Sequence, residues 1–168
     1  EMLRSLVGSE MCIRDRYYAM VSPVMIDAKN PLYSVNGVFN AIFIHGNVLG
    51  DAMFYGSGAG KLPTASAVVA DVVDCAKNKG RNIMMSWSEE KLNLLQIDDV
   101  KSRFFVRVSG HAAERQSEIE ELFGKVEIVA VPSLSEEFAF ITGEITEQEY
   151  REKAEKLDGI QSRIRARI

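Results

Sequence analysis

The sequence predicts an α+β fold in two parts, and three observations carry that prediction. Residues 34–57 alternate around a turn signal, as the two strands of a hairpin do. Residues 63–77 gather their apolar side chains on one helical stripe. Residues 98–168 run strand, helix, strand, strand, helix, strand, which is the split βαβ, ferredoxin-like order.

The bulk figures set the limits. A chain of 168 residues, 46% hydrophobic and 26% charged, has room for one domain or two small ones. A net charge of −4 and a pI near 5.3 speak against broad binding to nucleic acid or anionic membrane. No apolar run approaches the roughly 18 residues of a membrane span. Cys12 and Cys75 form no CxxC pair, and neither His45 nor His111 has a ligand-type neighbour at metal spacing. No metal is expected, and a reducing, cytoplasmic setting is the default.

Residues 1–16, EMLRSLVGSEMCIRDR, stand apart. The segment opens on Glu1 and has neither a helical stripe nor strand alternation. Arginines at 4, 14 and 16 interrupt it, so it is no signal peptide. Its run SLVGSEMCIRDR resembles translated sequencing-adapter read-through. The segment is therefore expected to be a non-native leader, with a flexible arm as the alternative, and Cys12 is given no functional weight.

From Tyr17 the pattern becomes regular. Residues 17–26 are extended in character, because Pro23 excludes a helix interior. Val35, Phe39, Ala41 and Phe43 fall on one face of the next strand and Val38, Ile42 and Ile44 on the other, which predicts a strand covered on both sides. His45-Gly46-Asn47 signals a turn, and residues 48–55 return as the partner strand. Pro63 opens a helix, Ala65, Val68, Val69, Val72, Val73 and Ala76 form its stripe, and Gly80 ends it. Cys75 beside that stripe reads as a small hydrophobe. Residues 81–101 read as an irregular connector packed at Trp87 and Leu94–Leu95, with a boundary near Asp98.

In the last part Phe104, Val106 and Val108 point inward, and Arg103, Phe105 and Arg107 outward. Ala112, Gln116, Ile119 and Phe123 share a helix face that Gly124 terminates. Thr146 and Glu149 have the spacing of a capping box. Ile160, Ile164 and Ile168 alternate with Arg163, Arg165 and Arg167, an arginine row expected on a solvated face or a partner-facing edge.

The run YGSGAGKLPTAS, residues 55–66, looks at first like a phosphate loop. A Walker A loop needs glycine five residues before Gly60 and Ser or Thr after Lys61, and the chain has Tyr55 and Leu62 there. The dinucleotide fingerprint GxGxxG fails too, since glycines 56, 58 and 60 alternate strictly. What survives is a strand, a glycine turn and a helix N-terminus. Two readings stay open for it: an edge for an anion or polar ligand, and close packing of helix on strand without a ligand.

Residues 30–73, NPLYSVNGVFNAIFIHGNVLGDAMFYGSGAGKLPTASAVVADVV, resemble homoserine dehydrogenases closely and almost without gaps. The split βαβ unit that follows resembles the ACT domain many of them carry. The resemblance spans about residues 20–168. It implies a part of an enzyme that interconverts L-aspartate 4-semialdehyde and L-homoserine with NAD or NADP, on the route to threonine, methionine and isoleucine. It divides the chain into the leader 1–16, the end of a catalytic and dimerisation region at 17–97, and an ACT-like regulatory domain at 98–168. The family's catalytic lysine and substrate-holding acids belong upstream, so no catalytic residue is expected here and this chain alone is expected to be inactive.

By the same resemblance Gly60 lies at the cofactor with Gly58 beside it, and Pro63-Thr64 start the helix that packs toward the nucleotide domain. Asn36, Asn40 and Asp51 belong to the matching stretch and read as satisfied turn or sheet polar groups, and Lys61 as solvated. An ACT-type effector site would fall on Gly110, His111, Ala112 and Ala113, although SGHAAERQ there lacks the family's acid and glycine at their places. A homo-oligomer is implied, with a small-molecule substrate and an amino-acid effector as partners. The reading from another class is a stand-alone amino-acid-sensing module; a phosphate-loop NTPase, which would need Lys61 for ATP binding, is disfavoured by the failed spacing.

Overall fold

The computed structural model describes residues 6–13, 16–81, 86–89, 91 and 93–168; Arg4 and Arg14 lie outside them. The chain forms two compact units, residues 1–27 together with 91–168, and residues 28–90. This division differs from the one expected from the sequence. The reason is a pairing between segments distant in the chain, given below.

Strand β1, Leu6–Ile13, pairs antiparallel with β2, Arg16–Ile26, from Leu6↔Pro23 to Ile13↔Arg16. A strand therefore stands where the sequence shows no alternation. Ladder pairing uses backbone groups alone, so a strand on a sheet edge needs no side-chain period.

In the unit of residues 28–90, Asn30 accepts a hydrogen bond from the Leu32 amide at 3.0 Å and Pro31 opens a 3-10 turn, Pro31–Ser34. The strand expected from residue 35 thus begins later. Strand β3, Phe39–Gly46, and β4, Gly50–Ser57, form an antiparallel two-stranded hairpin. Its turn occupies residues 47–49 and closes on Gly50 at φ 74°, a value that favours glycine. His45 on β3 meets Asp51 on β4 side chain to side chain, so Asp51 is a satisfied sheet group.

Helix α1 spans Lys61–Lys77 and contains Pro63 in its first turn, as expected. It ends three residues before Gly80. The Asn78 amide donates to the Asp74 carbonyl at 3.0 Å, and the Asn78 side chain donates to the same oxygen at 3.0 Å. The expected burial is absent in this unit. Phe54, Ile42, Val68, Val69 and Val72 are exposed, and α1 buries none of its residues. Both hairpin faces and the helix stripe carry apolar surface that no described residue covers. Trp87, expected to pack, is 83% exposed.

The rest of the chain forms strand β5, Asn93–Leu94, and β6, Lys101–Ser109; helix α2, Ala112–Phe123; strands β7, Glu127–Val129, β8, Glu137–Ile141, and β9, Ile145–Thr146; helix α3, Glu147–Ala154; and strand β10, Ile160–Arg167. Among the described residues the sheet runs β1-β2-β10-β6-β8-β7, with β5 beside β2 and β9 beside β6. The pairs β10–β6, β6–β8 and β7–β8 are antiparallel. Val24–Ile26 of β2 lie parallel to Arg165–Arg167 of β10, and this pairing joins β1 and β2 to the sheet of residues 101–167.

The core gathers Phe104, Val106 and Val108 of β6, Ile119 and Phe123 of α2, Phe138 and Phe140 of β8, Tyr150 of α3 and Leu157. Three of these are the β6 residues whose alternation assigned them inward. Aromatic rings knit the layer: Phe104 and Tyr150 lie 4.5 Å apart, Phe123 and Phe140 5.2 Å. Gly124, at φ 77°, ends α2 as expected by donating its N–H to the Glu120 carbonyl at 2.9 Å. Gln116 does not join the buried face; it is exposed and bonds Glu120 at 2.8 Å.

The arginine row is a correction. A register shift between Ile160 and Ser162 sets Arg163 opposite Val106 and Arg165 opposite Phe104, both core-facing residues. Paired residues share a sheet face, so these arginines turn toward the helices. There Arg163 pairs with Glu147, and Arg165 reaches the other oxygen of the same carboxylate at 2.6 Å.

Candidate functional site

The three glycines at the end of β4 and beyond it do three different things. Gly60 adopts φ 114°, a conformation L side chains rarely take, and turns the chain from strand into helix. Its carbonyl accepts from the Thr64 amide at 3.2 Å and from the Thr64 hydroxyl at 2.9 Å, fixing the first turn of α1. Gly58 has no positive φ, but a Cβ on it would stand 1.9 Å from Asn40 Nδ2. Gly56 faces open space, with nothing within 4 Å of where its Cβ would be. The turn therefore offers bare backbone along one edge, followed by the opening N–H groups of α1, which have no partner within the helix. Phe39 and Tyr55 stack beside it with centroids 5.0 Å apart.

These features fit a polar or anionic part of a dinucleotide. The donors are backbone N–H groups at a helix N-terminus, and no side chain stands in front of Gly56 or Gly60 apart from Pro63 Cδ at 3.6 Å from the latter's would-be Cβ. Gly58 and Gly60, assigned to a cofactor from the sequence, thus lie on one turn. Asn40 was placed in the matching stretch without a role, and its seat on Gly58 is what sequence reasoning missed. The register hid it: with the turn at 47–49 instead of the expected 45–47, Asn40 pairs opposite Gly56, and Gly58 lies two residues further on.

Gly110, His111, Ala112 and Ala113 form the bend from β6 into α2. Gly110, at φ 104°, donates its N–H to the Glu136 carbonyl at 2.8 Å. Arg115 crosses beside the bend and donates to the Ser109 carbonyl and the Asp158 carbonyl, each at 3.0 Å, and to Glu118 at 3.1 Å. A Cβ on Gly110 would come within 3.2 Å of Arg115 Cδ, and one on Gly159 within 3.2 Å of its Nη1. Arg115 is thus an internal strut between the bend and the loop before β10. Only its i,i+3 partner Glu118 is local; the strut itself has no local mark, because the carbonyls it joins come from positions 109 and 158.

Around α3 the charged groups are paired. Glu147 is buried between Arg163 and Arg165, and the Arg163 guanidinium also lies 4.7 Å from the Tyr150 ring centre and 5.4 Å from that of Phe104. Burial pushes the Tyr150 hydroxyl above its ordinary range, opposed by the Arg163 charge. The Thr146 amide, donating to Glu149, holds that carboxyl below the usual carboxylate range.

The architecture is that of a mixed α/β protein with a glycine turn joining a hairpin strand to a helix N-terminus. Residues 3–73 match the family model described as homoserine dehydrogenase. A homoserine dehydrogenase of Lactococcus lactis is 39% identical over 106 residues, covering 61% of this chain and 25% of that protein. One of Corynebacterium glutamicum is 54% identical over 61 residues, 36% of this chain and 14% of that protein. The crystal structure of a homoserine dehydrogenase from Thiobacillus denitrificans superposes with a TM-score of 0.76 at 23% identity, over 99% of this chain and 42% of that one. That of S. aureus homoserine dehydrogenase at pH 6.0 gives 0.69 at 24%, again over 99% and 42%. At these identities the solved structures speak for the fold. The chain is similar to part of homoserine dehydrogenases in sequence and in fold, and spans 25% of the Lactococcus lactis relative's length. No described helix is long and apolar enough to cross a membrane.

Proposed function

We propose that this chain is part of a homoserine dehydrogenase, interconverting L-aspartate 4-semialdehyde and L-homoserine with NAD or NADP, and that it supplies one rim of the cofactor site. The observation carrying this reading is the glycine turn, lying inside the segment that matches the family. The reduced nicotinamide supplies the hydride when bound. This chain's part is to present bare backbone at Gly56 and Gly60 and the N–H groups of α1 to the cofactor, with Gly58 set between them. Proton transfer and the grip on the substrate are assigned to residues other than those of the turn. The 168-residue chain by itself, whose match covers 25% of the Lactococcus lactis relative, is expected to leave aspartate semialdehyde unreduced.

Residues 28–80 grafted into the Lactococcus lactis enzyme in place of its aligned segment test the rim. Gly60→Val forces a strained conformation and sets a side chain on the open edge. The expected result is a rise in KM for the reduced cofactor of about tenfold or more. An unchanged KM overturns the assignment.

The antiparallel order β10-β6-β8-β7, with α2 and α3 as its helices, supports a ferredoxin-like, ACT-like reading of residues 98–168. Its second function, amino-acid sensing at Gly110, His111, Ala112 and Ala113, draws support from the α2 N-terminus at that bend. Calorimetry with threonine on the 168-residue chain tests it, and the absence of saturable heat removes it. The parent enzyme is read as a cytoplasmic homo-oligomer, to be tested by sedimentation.

A further inference from the structure

We propose that Asn40 is a positioning residue for the cofactor rim, and that residue 58 is glycine to make room for it. The proposal rests on the reading of the glycine turn as that rim. A Cβ at residue 58 would lie 1.9 Å from Asn40 Nδ2, 2.8 Å from its Cγ and 3.0 Å from its Cβ. Real Cβ atoms essentially never approach below 3.0 Å; the Asn40 carboxamide can turn aside, but its Cβ is fixed on β3 and stands at 3.0 Å whichever way it turns, so the crowding is not relieved by rotation alone. Gly58 needs no unusual backbone conformation, in contrast with Gly60 at φ 114°. Its bareness serves an internal contact.

The strand register explains how the contact arises. Asn40 stands directly opposite Gly56, and residue 58 follows on the same face, the diagonal position a side chain can reach. With glycine at both 56 and 58, that face is bare beyond Phe54, and the Asn40 carboxamide lies on the second of them. The carboxamide sets the spacing between β3 and the turn, and through it the height of the Gly60 carbonyl and of the first N–H groups of α1. The glycines divide the work: residue 56 leaves the surface open, residue 58 accepts the strut, and residue 60 makes the bend.

A double-mutant cycle separates crowding from cofactor effects. In the 168-residue chain, Gly58→Ala lowers the melting temperature, and Asn40→Ala/Gly58→Ala recovers most of the loss relative to Asn40→Ala. In the grafted Lactococcus lactis enzyme, Gly58→Ala and Asn40→Ala each raise KM for the reduced cofactor about tenfold, with a smaller change in kcat, while Asn40→Leu, which is close in shape and adds no charge, retains most of the affinity. If Gly58→Ala is as harmful in the Asn40→Ala background as it is with Asn40 intact, the strut is overturned. A normal melting cycle together with cofactor KM values unmoved by Asn40→Ala overturns its part in positioning. If Gly60→Val also leaves KM unmoved, the rim reading itself fails, and the melting cycle still reports on the contact.

Discussion

Thr146 and Glu149 show what two side chains contribute at one helix end. The Thr146 hydroxyl accepts from the Glu149 amide at 3.1 Å, and the Glu149 carboxylate accepts from the Thr146 amide at 2.8 Å. Removing the cap by Thr146→Ala is expected to cost about 1 kcal/mol, measured by urea unfolding. The depressed Glu149 pKa gives this bond a pH dependence of definite sign. The carboxylate is favoured in the fold, so its contribution is complete above the ordinary carboxyl value of 4.5 and is lost as pH falls through the lower folded value. Glu149→Gln should therefore flatten the acid limb of a melting-temperature profile; a limb of unchanged slope refutes the assignment. Tyr150 has the opposite sign. Burial raises its pKa, so its contribution is complete below 10.0 and is lost as pH rises above that value. Tyr150→Phe should soften the alkaline limb. The capping box was legible in the sequence because both partners lie within four residues. Arg115 was not, because its carbonyl acceptors at 109 and 158 meet it only after folding.

Strand β10 carries the corresponding lesson for a whole element. Its alternation of isoleucine and arginine was plain in the sequence, but which face the arginines take depends on one register irregularity between Ile160 and Ser162. Sliding by one residue exchanges the two faces of a strand, and no composition reveals that slip. Once turned inward, the arginines need an anion, and Glu147 at the start of α3 provides it with its side chain only 8% exposed. Arg165, 19% exposed at its side chain, is the more enclosed of the pair. Arg165→Met keeps the packing stem and leaves Glu147 with one partner. The expected loss is about 2 kcal/mol, read from chemical unfolding, and a loss below ~0.5 kcal/mol would make the clamp dispensable. Strand β6 is the contrasting case. Its inward residues could be read directly, because it is flanked by β10 and β8 and a single face meets both helices.

For the whole molecule, the sequence identified the hairpin and α1 correctly as elements but misjudged their surroundings. Apolar residues on both faces imply cover, and the described residues do not provide it: Phe54 is 65% exposed and Val72 63%. The β2–β10 pairing went unforeseen for a related reason, since a parallel contact between the two ends of a chain leaves no local trace. Unequal burial predicts unequal local stability. Helix α1 is longer than α2, yet Val68, Val69, Val72 and Val73 are β-branched residues of modest helix propensity, and their stripe faces solvent. A helix of 17 residues without a packed face is marginal in water, whereas α2 sets Ile119 and Phe123 into the core. Amide exchange should therefore run at least about a hundredfold faster at Val68–Val73 than at Val106 or Phe140 when the 168-residue chain is dilute. The same exposed stripe should drive association as concentration rises, slowing exchange at those valines while leaving β6 unchanged. Val69→Lys/Val72→Lys removes the apolar stripe, and in that variant the exchange rates should no longer depend on concentration. Protection at Val68–Val73 equal to that of β6 in the dilute chain would show that α1 is stable without a covering surface.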